Sequence, residues 1–246
     1  MKHLFKQKTQ SWLVLPAKKR ANLKKLFSIT APKYQLATRA LSLGRDAAWK
    51  KMLIDSLPID SSLHCVDIAC GTGDLCFLLA DRYSKGKITG IDFNQKMLTI
   101  ARHNNPYHNI EFVEADMCDL QAISSASIDV VTGGYALRNA PDLERFLLEV
   151  ARILKKDGVV SFLEFSKPPT QIKQKIQYAI LKAWGSLWGI LLHGQYEVYA
   201  YLAESVKAFP DRRDLNKKLA LAGFKAVHRQ PLFFGMLNII NCKKFQ

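Results

Sequence analysis

Acidic residues are in short supply in this sequence: 21 Asp and Glu stand against 36 Lys and Arg in 246 residues, a formal net charge of +15. A basic surface attracts nucleic acid and anionic lipid through the same Coulombic force, so charge alone excludes neither. Much of the excess lies near the start, in Lys2, Lys6, Lys8, Lys18, Lys19, Arg20, Lys24 and Lys25. Cysteine pairs are absent too. Cys65, Cys70, Cys76, Cys118 and Cys242 form no CxxC and no Cys/His cluster with zinc spacing, and their odd number argues against a full disulfide framework. Reduced thiols in a cytoplasmic protein are the expectation. No 18-residue uncharged apolar run occurs, and the apolar stretch Ala183–Leu192 is too short to span a bilayer. The opening MKHLFKQKTQSWLVLP lacks a long apolar region and a small-residue cleavage site, so no secretory signal is expected. The histidines, His3, His64, His103, His108, His193 and His228, are scattered and read as surface or packing residues.

What is present is a globular composition, 48% hydrophobic and 23% charged, with no low-complexity segment. From Ser62 onward, short β-branched runs alternate with helical patterns, as in a parallel sheet wrapped by helices. Five strands are predicted: Leu63–Ala69, Lys87–Phe93, Asn109–Ala115, Ile128–Gly134 and Val159–Phe165. The clearest helix starts at Asp142, with Leu143, Phe146, Leu147, Val150 and Leu154 forming its core stripe. A long helix carrying Ile176, Ile180, Trp184 and Trp188 follows Pro169, then a helix near Leu215–Ala222 and a terminal antiparallel hairpin, FKAVHR with MLNIIN. Residues 1–45 read as a basic helical cap without its own core, and residues 46–246 as the single domain beneath it.

Ligands of open α/β sheets bind beyond the carboxyl ends of the strands. There the sequence VDIACGTGD, Val66–Asp74, runs an apolar strand into Gly71, Thr72 and Gly73 before a helix. Asp92 ends the next strand 21 residues after Gly71, where a carboxylate can accept both hydroxyls of a ribose. After Gly73 there is no third glycine to admit a pyrophosphate, and Asp67 and Asp74 would repel one. A nucleoside without phosphates fits better, and the two carboxylates suit the cationic amino acid and sulfonium of S-adenosylmethionine. Asp116 can accept from an adenine amino group, with Met117 stacking beside the ring; its structural alternative is a turn or N-cap aspartate.

With these residues the sequence resembles the class I methyltransferases, and within them the quinone-biosynthesis C-methyltransferases of the UbiE/MenG type. The likeness spans residues 27 to 244. Its marks are CGTGD, ALRNAPD (Ala136–Asp142), LEFSKP (Leu163–Pro168), YAYLAESVKAFP (Tyr199–Pro210), AGF (Ala222–Phe224) and an N-terminal pattern of Phe27, Ala31, Tyr34, Ser42 and Gly44. The resemblance implies a three-layer, Rossmann-like α/β fold whose seven-stranded sheet is mostly parallel with one antiparallel strand. It also implies Thr72, Asp92, Asp116 and Met117 as cofactor contacts, and Asp67, Gly71, Gly73, Phe93 and Gly134 complete the expected cofactor set. The implied reaction methylates a ring carbon of a prenylated hydroquinone, a poor nucleophile until a neighbouring phenol loses its proton. Arg138, charged at any working pH, is the residue expected to orient a water or stabilise phenolate; its structural alternative is an ion pair with Asp142 or Glu144. Asn139 is expected to fix that arginine or a substrate oxygen, and Tyr201, with Tyr199 and Glu204, supports the site. Glu164 and Lys167 are read as structural. No metal is expected, because methyl transfer runs on alignment and a sulfonium leaving group.

The sequence departs from the family pattern at Gln35, Thr38, Gln195 and Gly134. A diverged paralogue acting on another lipophilic phenol, or a non-catalytic S-adenosylmethionine-binding subunit, are the competing readings. An RNA methyltransferase is disfavoured, since neither an NPPY-type motif nor a catalytic-cysteine motif occurs, so nucleic acid is not the expected partner. A lipophilic quinol is, together with a possible second copy of the chain and an anionic membrane surface at the inner face. For the membrane, Trp12–Leu15 beside Lys18, Lys19 and Arg20 form the expected anchor, and Trp184–Leu192, with space left at Gly185 and Gly189, a groove for the prenyl tail.

Overall fold

In the computed structural model, Leu13 and residues 15–245 are described, with only the backbone of Ala226 and Val227. Trp12 and Val14 of the expected anchor, and Lys2, Lys6 and Lys8, lie outside the described residues. Seven strands form one sheet: β1 (Cys65–Ile68), β2 (Ile88–Asp92), β3 (Ile110–Glu114), β4 (Ile128–Gly134), β5 (Leu154–Phe165), β6 (Phe224–Leu232) and β7 (Leu237–Lys244). Their order is β3-β2-β1-β4-β5-β7-β6. The first five are parallel, and β7 runs antiparallel to both β5 and β6. The class I arrangement with one antiparallel strand is therefore present.

Successive side chains of a strand point to opposite faces, so the continuous apolar runs of the central strands feed two cores at once. Val131 and Ile240 join one core with Phe146, Leu147, Val150 and Ile153 of helix α6 (Leu143–Ile153) and Leu215 and Leu219 of α9 (Arg212–Leu221). Their neighbours Val130 and Ile239 join the other, with Trp49 and Leu53 of α3 (Asp46–Asp55), Leu75 and Leu79 of α4 (Asp74–Arg82) and Leu98 of α5 (Gln95–His103). The order of strands reverses at β1, which opens a crevice at its carboxyl end.

The remaining helices build a roof over that crevice: α1 (Pro16–Thr30), α2 (Tyr34–Leu41), α7 (Gln171–His193) and α8 (Glu197–Ala208). Leu23, Leu26 and Ala37 of the first two pack with Val198, Tyr199 and Tyr201 of α8, so the N-terminal helices share a core with the C-terminal half of the chain. Two expectations are corrected here. Leu154 opens β5 and is not the last residue of a helical stripe. Gly185 and Gly189 open no groove: a Cβ at either would lie 2.4 Å from Tyr199 O or 2.5 Å from Gln195 O, so these glycines let α8 pack against α7.

Candidate active site

The glycine turn after β1 is built from left-handed residues, with φ of 57° at Ala69, 55° at Gly71 and 89° at Gly73. Gly73 caps α4, and a Cβ there would sit 2.9 Å from Phe77 Cζ, so the position excludes a side chain on two grounds. Gly71 N donates to Asp92 Oδ2 at 2.9 Å and Asn94 N to Oδ1 at 2.8 Å. Burial pushes the Asp92 carboxyl up to about 6 despite these donors. Asp92, Phe93, Asp116 and Met117, four of the expected cofactor residues, line one small pocket with Ala69, Asn139 and Pro141, whereas Gly71, Thr72, Gly73 and Gly134 are not in its lining.

The mouth of that pocket is closed by α1. Arg20 Nε lies 3.2 Å from Asp116 Oδ2, Lys24 Nζ 3.3 Å from Glu114 Oε1, and Lys19 Nζ donates to Ala140 O at 2.6 Å. Asn94 Nδ2 donates to Lys24 O at 2.9 Å. Three of the N-terminal cations thus face their own domain, and Leu13 is buried. This differs from the expectation that Lys19 and Arg20 would meet lipid headgroups.

The two aspartates of the VDIACGTGD segment part company. Asp67 points into the core, where it accepts from the Thr132 hydroxyl at 2.8 Å and the Cys76 thiol at 3.6 Å, and burial pushes it up to about 7. It is not among the residues lining the nucleoside pocket. Asp74 lies beside the turn and accepts from Lys50 at 2.7 Å, Gln35 at 3.1 Å and the Thr72 hydroxyl at 3.3 Å. Burial alone would raise its pKa, but Lys50 outweighs it and holds the carboxyl low. Lys50 also pairs with Asp46 at 2.6 Å, and Asp46 accepts from Tyr135 Oη at 2.7 Å. Burial opposes the charge on Lys50, yet the two carboxylates raise its pKa on balance. Sequence reading missed this cluster; its only signal was the helical i,i+4 spacing of Asp46 and Lys50.

Past Gly134, where a Cβ would crowd Leu75 Cδ1 at 3.2 Å, the chain enters a short 3₁₀ turn, Leu137–Asn139. The Arg138 side chain is 9% exposed and its Nη1 donates to Glu164 Oε1 at 2.7 Å. Arg138 N donates to Glu164 Oε2 at 3.0 Å and Phe165 N to Oε1 at 2.8 Å, so a fully buried carboxylate has three donors. The guanidinium lies 5.3 Å from the Tyr135 ring centre and 5.1 Å from that of Phe165. Its Nε is buried and has no partner among the described residues. The ion-pair partner is therefore Glu164, not Asp142, which caps α6 through Glu144 N and Arg145 N, and not Glu144, which pairs with Lys218. Asn139 donates to Tyr135 O at 2.9 Å and accepts from Tyr201 Oη, which occupies both ends of its amide; it holds Tyr201, not Arg138.

Arg138, Asp46, Tyr34, Tyr199 and Tyr201 supply polar groups to a second, mostly apolar cavity of about 120 Å³ under the roof. Leu26 and Phe27 of α1, Leu181 and Trp184 of α7, Leu202 of α8 and Phe165 are among the apolar residues that line it. Thr38 is also on its wall. Tyr199 Oη lies 3.0 Å from His193 Nε2, and burial holds that imidazole below its ordinary pKa. Glu204 is not in the lining; it accepts from Tyr178 Oη at 2.5 Å.

A sheet of this order, with a glycine turn and carboxylates at the strand ends, is the class I methyltransferase fold. Solved structures share it: a methyltransferase bound to the Trm112 activator of Haloferax volcanii superposes with a TM-score of 0.65 at 16% identity, over 89% of this chain and 98% of that one. A SAM-dependent methyltransferase from Aquifex aeolicus gives 0.59 at 12%, over 85% and 98%. The chain itself belongs to the ubiE/COQ5 methyltransferase family, whose model matches residues 16–244. It is 35% identical to a demethylmenaquinone methyltransferase of Thermus thermophilus over 87% of this chain and 97% of that one. Identity is 33% to a 2-phytyl-1,4-naphtoquinone methyltransferase of Thermosynechococcus vestitus, over 91% and 99%. For the ubiquinone/menaquinone biosynthesis C-methyltransferase UbiE of Campylobacter jejuni it is 32%, over 92% and 99%.

Proposed function

We propose that the chain transfers a methyl group from S-adenosylmethionine to a ring carbon of a prenylated hydroquinone, in menaquinone or ubiquinone biosynthesis. The observation that carries this reading is the partition made by residues 138 and 139. Arg138 lines the apolar cavity, and its neighbour Asn139 lines the nucleoside pocket, so an acceptor ring and a nucleoside would meet across one turn. Relatives named for demethylmenaquinone and phytyl-naphthoquinone methylation support an aromatic acceptor with an apolar tail.

The residues fit the cofactor. Asp92 suits the ribose hydroxyls, Asp116 the adenine amine, and Lys50 and Asp74, joined beside the glycine turn, the carboxylate and ammonium of its amino-acid end. When bound, S-adenosylmethionine supplies an electrophilic methyl group on a sulfonium centre. The chain's own part is to make the ring carbon nucleophilic and to exclude water. Glu164 and the rings of Tyr135 and Phe165 fix the plane of Arg138, whose guanidinium charge at the cavity wall can stabilise a phenolate oxygen or orient a water. Tyr199 can take the phenol proton only as it passes its own hydroxyl proton to the neutral His193 imidazole 3.0 Å away, which is the final acceptor of this relay. A polyprenyl acceptor resides in lipid, so the enzyme would work as a peripheral protein on the cytoplasmic face; among the described residues no helix is long and apolar enough to cross a membrane.

Thr38 on the cavity wall and Gln35 on Asp74 favour one second reading, a different lipophilic phenol as acceptor. Incubation with isotopically labelled S-adenosylmethionine and a panel of reduced demethylquinols and other prenylated phenols, followed by mass spectrometry, tests both. Label on a quinol ring carbon is expected. Label on oxygen, or on no quinol, would overturn the proposal.

A further inference from the structure

Helix α7 shows water the wrong kind of face. Ile172, Ile176, Ile180, Leu187, Ile190 and Leu191 are all exposed, Ile172 to 73% and Leu191 to 62%. Ala179 and Ala183 are exposed between them. At 100° per residue these positions fall on one stripe, opposite the buried Gln177, Leu181, Gly185 and Gly189. The stripe runs for about 28 Å at 1.5 Å per residue. Lys173 borders one side, and Lys175 and Lys182 the other; Lys182 also reaches the hydroxyl of Tyr178 at 2.9 Å and Glu204 at 3.6 Å. The 23-residue helix contains no Asp or Glu. An aromatic residue joins this face. Phe234, 99% exposed on a left-handed turn with φ of 56°, lines a groove with Ile176 and Ile180, where Lys173, Arg212 and Arg213 outnumber Asp211.

We infer that the outward face of α7, with Phe234, is a docking surface for an anionic lipid membrane, on which the helix lies in the interface plane with its apolar stripe among the acyl chains. A lysine-bordered apolar stripe without carboxylates matches anionic headgroups above a hydrocarbon layer. It matches a second copy of itself poorly, because two-fold pairing of this helix would bring lysines together with no acid on the helix to meet them. The opposite face of the same helix supplies Leu181 and Trp184 to the acceptor cavity, so one helix would have lipid on one side and that cavity on the other. This last role rests on the proposed lipid-borne acceptor; the lipid binding does not.

The test uses the full chain and vesicles of phosphatidylcholine alone or in equal mixture with phosphatidylglycerol. Wild type should co-sediment with the mixed vesicles and bind neutral ones at least about tenfold less. Ile176→Glu with Ile180→Glu should lower binding to mixed vesicles by at least about tenfold, and Phe234→Asp by a smaller factor, with unchanged thermal melting. Activity on a short-tailed, water-soluble acceptor should survive these changes while activity on a long-tailed acceptor in vesicles falls. Absence of wild-type binding, or variants that pellet like wild type, would overturn the inference. So would a wild-type dimer that the double variant splits while vesicle binding stays absent. Vesicle binding without quinol methylation would sink the proposed acceptor but leave this surface standing.

Discussion

Replacing Glu164 by Gln keeps the shape of a fully buried side chain and removes its charge, which makes it a direct probe of how Arg138 is held. Three N–H groups converge on the carboxylate: Arg138 Nη1 and Phe165 N on Oε1, and Arg138 N on Oε2. A glutamine with its oxygen at the Oε1 position retains two of these bonds, but its amide nitrogen then confronts Arg138 N–H. One buried donor is left unsatisfied, and a buried guanidinium loses its counter-charge. Breaking one side of a buried pair costs about 3 to 5 kcal/mol, and the retained acceptor puts Glu164→Gln near the lower end, about 3 kcal/mol. For a chain of this size that is a fall in Tm of roughly 6 to 12 °C, read by circular dichroism. Arg138→Met leaves the opposite charge stranded, whereas the double variant strands neither. The double variant should therefore be more stable than the sum of the single losses predicts, by about 2 kcal/mol. Single losses that simply add, or a Glu164→Gln protein that melts with wild type, would refute the argument that these two groups form a unit. Turnover should fall in Glu164→Gln even at temperatures where it is fully folded.

Asp92→Ala should weaken S-adenosylmethionine binding by about ten- to a hundredfold in calorimetry, the loss of roughly 1.5 to 3 kcal/mol of charged hydrogen bonds; an unchanged titration would remove Asp92 from the site. Because burial raises this carboxyl to about 6, wild-type affinity should decline as pH falls below about 6 and the acceptor becomes a protonated acid. The same raised pKa means the folded state takes up the proton more readily than the unfolded one, so this group stabilises the fold as pH falls, and the lost binding is not unfolding at Asp92. Arg138→Lys should lower turnover far more than cofactor affinity, since an ammonium lacks the planar fork; equal losses would point to a purely structural pair. Arg20→Ala should speed cofactor release in stopped-flow measurements with little effect on melting, because Arg20 is half-exposed and its pair with Asp116 is screened; unchanged release rates would refute a gating role for α1.

The parallel half of the sheet was legible because each central strand is a short β-branched run ending in polar or glycine residues, a pattern that burial on both faces demands. Leu154 reads as helix for a related reason. It continues the apolar period of α6, and periodicity alone cannot say where a buried helix hands over to a buried strand. The convergence of Asp92, Asp116 and Met117 on one pocket could be read from strand ends, since spacing along the chain fixes what a parallel sheet brings side by side. Pairings between loops and across to the roof could not. Arg138 finds Glu164 on another strand end, and Arg20 reaches Asp116 from a helix whose packing no local pattern specifies. Charges near Arg138 in sequence, Asp142 and Glu144, were the natural guesses, and both are spent on a helix cap and a surface pair. Gly185 and Gly189 illustrate the same limit, because a glycine marks close approach without saying what approaches.

The buried thiols bear on a different matter, the chain's ability to survive its own reagent. Cys70 and Cys76 bracket the glycine turn, and Cys118 follows Met117 at the nucleoside pocket. A thiolate is a far better nucleophile than an aromatic carbon, and one beside an activated methyl group would be alkylated in preference to any phenol. Burial raises Cys70 and Cys118 to about 11 and Cys76 well above its ordinary value, which keeps all three protonated at neutral pH. Chemoselectivity would then come from solvation: three sulfur atoms near the glycine turn and Met117 stay unreactive because the protein interior withholds the charge that would make them react. Intact-mass spectra after prolonged incubation with S-adenosylmethionine should accordingly show no added methyl on the chain.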